Sequence, residues 1–192
     1  MNDSIKKYTV PVVSGVILVV LCIVFIISFY YESRATMVKL VVQDLQVLSQ
    51  AFQAIDKDCG IINFDHQKNN INFLNVISFA GSEVGSMNLR YPDKWKGPYM
   101  QDNPTIQGRE YQVVHTAKGY FITPGNGVKL PNGTVIGTDI KLDKNVDIAS
   151  MMYEKDVLLF DNQSFALPLE LPSNASSLAK LADMIALSDD GE

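Results

Sequence analysis

Apolar and polar positions change rhythm along this chain of 192 residues, and each change marks a different element. From Tyr8 to Tyr31 no residue is charged, and Val16 to Ile27 is unbroken apolar sequence. About 20 such residues, rising 1.5 Å each, carry a helix across the hydrocarbon core of a bilayer. Tyr8 at one end and Phe29, Tyr30 and Tyr31 at the other suit the aromatic belts of the two interfaces. The run is longer than the apolar core of a cleaved signal peptide and ends in no small-residue site, so a retained single-span anchor is expected. Lys6 and Lys7 directly precede the span, whereas Arg34 and Lys39 follow at a distance beside Glu32. That asymmetry orients the N-terminus to the cytoplasm and the C-terminal part to the periplasmic or extracytoplasmic side of the cytoplasmic (inner) membrane.

Beyond the span the period becomes helical and one-sided. Val38, Val41, Val42, Leu45, Leu48, Phe52 and Ile55 recur at spacings of three and four, with Lys39, Gln43, Gln46, Gln50 and Gln53 opposite. No Gly or Pro interrupts Val16 to Cys59, and Gly60 is a suitable stop. One continuous helix from Val12 to Asp58 is therefore expected, half in lipid and half in water. A second apolar track (Met37, Leu40, Val47, Ala51, Ala54) widens the face. It fits a helix lying deep in its own domain, or a helix shared between that domain and neighbouring subunits.

After Gly60 the pattern shortens. The stretch "NNINFLNVISFAG" fits neither a helical nor a strand period and reads as a short helix or a buried strand. Downstream, "EYQVVH" and "GYFIT" around "TAKG" predict a hairpin, and "DVLLF" and "SFALPLEL" flank the turn residues "DNQ". Phe165, Leu167, Leu169 and Leu171 alternate as a one-sided strand does. The chain thus divides into residues 1–31 (a cytoplasmic stub and the transmembrane helix), 32–60 (its amphipathic continuation) and 61–94 (a mixed loop and αβ region). Residues 95–172 form an antiparallel β-sheet region, and 173–192 a tail with a short helix through Leu178, Leu181 and Ile185. The fold class expected is α+β, a long N-terminal helix packed on a small antiparallel sheet.

Charge and candidate chemistry narrow the function. From Glu32 onward there are 14 Lys and Arg against 20 Asp and Glu, a balance that argues against nucleic acid and against a basic lipid-binding face. Cys22 lies in the span and Cys59 outside it, so the two do not pair within one chain, and the fold rests on packing. His66 and His115 suit surface or capping roles. No nucleophile elbow, phosphate loop, dinucleotide fingerprint or paired metal histidines occur, so neither catalysis nor a small-molecule substrate is expected. In "DKNVDIASMMYE", Asp143, Asn145, Asp147 and Glu154 stand at the first, third, fifth and twelfth positions of a calcium loop, with Asp139 nearby. Ile148 stands where such a loop needs Gly, so the alternative is a solvated acidic turn and no cofactor. The glycosylation-type triplets at Asn132, Asn162 and Asn174 read as turns.

A long helix that is half membrane and half amphipathic, followed by a small antiparallel sheet, resembles the type IV pilins and type II secretion pseudopilins. The segment "VVQDLQVLSQAFQAIDKDCG" is similar to the pseudopilin helix end through Asp44–Leu45, Leu48, Ala51, Asp58 and Gly60. "WKGPYM" resembles the segment leading into the sheet of the major pseudopilin, and "GTDI" at 137–140 its C-terminal acidic loop. The resemblance spans residues 10–140. It implies a structural subunit of a secretion or pilus-type envelope assembly, with other pilin-like subunits, inner-membrane components and membrane lipid as partners. It also implies stem packing through Val41, Leu45, Leu48 and Phe52. Gly97-Pro98 becomes a corner leading into the first strand, with Trp95 and Tyr99 clamping the sheet to the helix. An exposed aromatic-basic patch of Lys94, Trp95 and Lys96 is the rival reading. The family's Gly-Phe-Thr-Leu-Ile-Glu string is not present, and its membrane Glu would fall near Val10. That departure points to an unprocessed or divergent member, or to a tethered extracytoplasmic binding module that does not polymerise.

Overall fold

A computed structural model describes the backbone of residues 3–171 and the side chains from residue 12 onward. Helix α1 runs without a break from Asp3 to Cys59. At 1.5 Å per residue its 57 residues span roughly 85 Å. It starts about two and a half turns before the expected Val12 and passes through Pro11, whose missing N–H takes one hydrogen bond out of the backbone ladder. The helix ends where the sequence puts a residue free to turn. Gly60 has φ +66° and donates to the Asp56 carbonyl (2.9 Å), while the buried Asp56 carboxylate accepts from the backbone of Ile61 at 2.8 Å. One side chain therefore fixes the corner from stem to first strand.

Strands β1 (Ile61–Phe64), β3 (Glu83–Val84) and β4 (Met87–Leu89) form a small antiparallel sheet in the order β1-β4-β3. The larger sheet has β2 (Lys68–Asn70), β6 (Arg109–Thr116), β7 (Gly119–Pro124) and β10 (Leu167–Leu169) in the order β10-β7-β6-β2. Strand β5 (Thr105–Ile106) extends the β2 edge by pairing with Arg109 and Glu110. Helix α2 (Ile148–Met151) and the hairpin β8–β9 (Leu159–Phe160, Gln163–Ser164) complete the regular elements of the described residues.

Alternation puts Tyr111, Val113 and Ile122 on one sheet face and Val114 and Phe121 on the other, and all five are buried. The first face packs on α1, which β7 and β10 both touch. Residues 125–158 are largely loops, with α2 among them. There Val128, Leu130, Ile136, Leu142 and Leu158 belong to the same core.

Several local expectations are corrected. The 61–94 region holds four short strands and a 3-10 turn (Pro92–Lys94) and no α-helix. Within it "NNINFLNVISFAG" continues beyond the end of β2 without regular structure: Ile71, Phe73 and Leu74 drop into the core from a loop, and so fit no period. Gly97-Pro98 is not the entry to the first strand, because β1–β4 precede it and the next strand begins at Thr105. The β6–β7 turn is tighter than "TAKG", since Thr116 pairs with Gly119 across Ala117 and Lys118. The short helix expected in the tail lies outside the described residues.

Candidate functional site

The stem presents a surface in two halves of opposite character. In the first half every large apolar side chain from Val12 to Tyr31 is exposed, and none of the most apolar stretch is covered by the head. The single long apolar helix can span a membrane by length and composition. In the second half Val41, Leu45, Leu48 and Phe52 are enclosed, with Val38 and Ile55 continuing the stripe. Phe52 sits at the centre of an aromatic group, its ring edge-on to Phe64 (5.9 Å) and Phe73 (6.2 Å). All four expected packing residues are therefore consumed by the chain's own head. Of the second track, Ala51 is buried and Met37 half-buried, while Leu40 (52% exposed) and Val47 (39%) face outward.

A polar link that periodicity did not single out joins stem to sheet. Tyr111 of β6 is fully buried and its hydroxyl donates to Asp44 Oδ2 at 2.8 Å. Burial, then the hydrogen bond to Asp44 and its negative charge, push the Tyr111 phenol well above its ordinary value. The visible hint was a Tyr on the inward side of an apolar strand, a position that needs a buried acceptor.

No protein-family model, curated protein or solved structure matches the chain.

The geometry alone must then account for "KWKGPYM". Its first task is at the helix end, where Arg90 and Tyr91 just upstream supply the capping hydrogen bonds. Helix ends leave orphan carbonyls, and here Tyr91 N–H donates to the Cys59 carbonyl and Arg90 N–H to that of Gly60, both at 2.8 Å. Lys96 pairs with Asp58 at 2.8 Å, placing a cation at the negative end of the helix dipole. The second task is clamping. Trp95 stands edge-on between Phe79 (5.2 Å) and Tyr99 (4.8 Å), and its Nε1 donates to the Val76 carbonyl at 3.1 Å. Tyr99 N–H donates to the Leu74 carbonyl (2.9 Å). What Trp95 and Tyr99 fasten to the helix end is the loop 74–79 rather than the sheet, because their partners come from that loop. Gly97 precedes Pro98 through a cis bond. A Cβ there would meet both Trp95 Nε1 and the Val76 oxygen at 2.3 Å, so only Gly lets that hydrogen bond form. Beneath the clamp burial raises the Cys59 thiol and pushes the Tyr99 hydroxyl beside it up to about 12. As for the rival patch, Lys94 lies over the half-exposed Tyr91 ring (4.5 Å) and Lys96 is paired, so neither cation frames Trp95.

The acidic positions weighed for calcium serve local structure. Asp147 caps α2 by accepting from Ser150 N–H (3.1 Å) and Oγ (2.7 Å), and it also pairs with Lys118. Lys118, then Ser150, hold its carboxyl down at about 2. Asp143 accepts from Asn145 N–H at 2.9 Å and Asp139 from Val135 N–H at 2.8 Å, while Glu154 is exposed. Among the described residues no three carboxylate, His or Cys side chains converge as a metal site. Of the glycosylation-type triplets, Asn132 braces a turn through Thr134, Asn162 sits at the tip of the β8–β9 hairpin with φ +60°, and Asn174 lies outside the described residues.

Proposed function

We propose that this chain is a membrane-anchored, non-enzymatic, pilin-like structural subunit of a secretion or pilus-type envelope assembly. Its work is lateral helix packing: spans associate in the bilayer while the head, outside the inner membrane, rides on the stem. The observation that supports this reading is the single helix Asp3–Cys59, uncovered along its apolar half and the spine of the head along the other. A rod of that kind transmits position from lipid to head without a hinge. Partners of the same class, other pilin-like subunits or inner-membrane components, fit a surface that offers side-chain packing and no reactive constellation.

A second reading, a tethered binding module that never polymerises, is favoured by the apolar Val10, which cannot pair with a neighbour's N-terminal amine as the family's Glu does. Mass spectrometry of the chain isolated from its native membrane separates the two. A trimmed, N-methylated end is expected for an assembling subunit; an intact Met1 transfers the case to the tethered module.

A further inference from the structure

The head covers one arc of the stem, and beside that arc runs a seam the head leaves open. Cys22, Ile26, Phe29, Ser33, Thr36, Leu40, Gln43 and Val47 follow one another at alternating intervals of four and three. That is the spacing of the contact positions in a parallel coiled coil. All eight are exposed, Phe29 at 66%. The seam is not a continuation of the head's own stripe. Val41, Leu45, Leu48 and Phe52 lie roughly 100° around the helix from it, at 3.6 residues per turn. Where the seam leaves the apolar segment, it floors a groove of about 540 Å³ between Phe29 and Leu40. Ile106 and Gln107 of the β5–β6 turn form the groove's wall, held by two hydrogen bonds between Gln107 and the Lys129 backbone (2.8 and 2.9 Å).

Three features identify what fits this seam. A second copy in the same bilayer with the same orientation necessarily presents Phe29, Ser33, Thr36 and Leu40 at matching depth, so the seam is self-complementary. Small Ser33 and Thr36 at the membrane exit let two helices approach closely. The flanking charges also match. In a parallel pair, the position before one contact residue meets the position five residues later on the partner helix. For Lys39 that position is Asp44, whose Oδ2 is taken by Tyr111 and whose carboxylate is half-exposed.

We infer that two copies of this chain pair in parallel and in register along Cys22–Val47, with Lys39 of each copy facing Asp44 of the other. The two heads then lie on opposite sides of the paired stems, and a two-fold axis relates the copies. This rests on the membrane-spanning part of the proposed function. It differs from axial stacking, in which identical positions are offset and do not meet.

Cys22 lies on the seam and Cys59 is buried away from it, so the wild-type chain carries its own reporter. Full-length protein in native membranes, treated with copper-phenanthroline, is expected to give a disulfide-linked dimer that Cys22→Ser abolishes. In the Cys22→Ser background, Leu40→Cys restores the dimer and Ala35→Cys, exposed about 140° around the helix from Leu40, does not. Lys39→Glu is expected to slow the Leu40→Cys reaction about two- to five-fold, the range of a partly exposed ion pair. Links at Ala35→Cys as fast as at Leu40→Cys, or none at Cys22 and Leu40→Cys in a chain that resists carbonate extraction, overturn the pairing alone. Release of the chain by carbonate overturns the span and the pairing together.

Discussion

Removing the Tyr111 hydroxyl or its acceptor should loosen the sheet from the stem by amounts that are not additive. Tyr111 is fully buried, and its hydroxyl bonds a carboxylate 67 positions away in sequence at 2.8 Å. A hydrogen bond to a charged group contributes about 1.5–3 kcal/mol net. In Tyr111→Phe the half-exposed Asp44 regains water, so the loss should fall near the low end, about 1–2 kcal/mol. Asp44→Ala is worse, because a phenol is left buried without an acceptor, and about 2–3 kcal/mol is expected. In the double variant neither group is orphaned, so the combined loss should be smaller than the sum by about 1 kcal/mol or more. Urea unfolding of the full chain in detergent, followed through the single tryptophan Trp95, measures all four members of the cycle. Coupling below about 0.5 kcal/mol would show that β6 is held to the stem by apolar contact alone.

Two further outcomes follow from the helix-end clamp and the buried phenols. Gly97→Ala must displace either Trp95 Nε1 or the Val76 carbonyl from 2.3 Å, so a loss of about 1–3 kcal/mol is expected, with a red-shifted Trp95 emission marking the freed indole; unchanged emission would place the strain elsewhere. Burial raises Tyr99 to about 12 and Tyr111 further, while both ionise near 10 when unfolded. The folded state then holds more protons between these values, so the phenols' contribution to stability is level below pH 10 and falls as pH rises from 10 towards 12. Denaturation midpoints across that window should fall less steeply in Tyr99→Phe and Tyr111→Phe.

How much was legible depended on whether a residue's partners were near it in sequence. The stem stripe was readable because a helix repeats every 3.6 residues and its buried members announce themselves locally. The β6–β7 hairpin was readable for the same reason, its two strands lying side by side in the chain. The segment from Trp95 to Tyr99 reads as a lead into the sheet because its actual partners, Val76 and Leu74, lie 19 and 25 positions upstream of the residues they bind. Asp44 was noticed as part of a resemblance, yet only the fold brings Tyr111 to it. The acidic spacing was ambiguous for a related reason: alternate acidic residues suit Asx turns and helix caps as well as a calcium loop, and only the fold brings Lys118, from a hairpin 29 residues away, to Asp147.

The hardest distinction for sequence was between a stem residue that faces its own head and one that faces another molecule. Leu40 and Val41 are adjacent and both aliphatic, but a helix turns 100° between them. Val41 is sealed under the head and Leu40 is half open to solvent. Hydrophobicity ranks them alike, since the same transfer free energy drives both kinds of burial. What separates them is where β5 to β7 happen to close over the stem, which long-range pairing decides. Two apolar tracks on one rod therefore meet different surroundings: Val41 lies under the head, while Leu40 and Val47 of the second track lie open and can be altered without unfolding it. Leu40→Ala should thus leave the urea midpoint nearly unmoved while Val41→Ala lowers stability by about 1–3 kcal/mol; equal losses at the two sites would mean that the exposed track is not a separate surface.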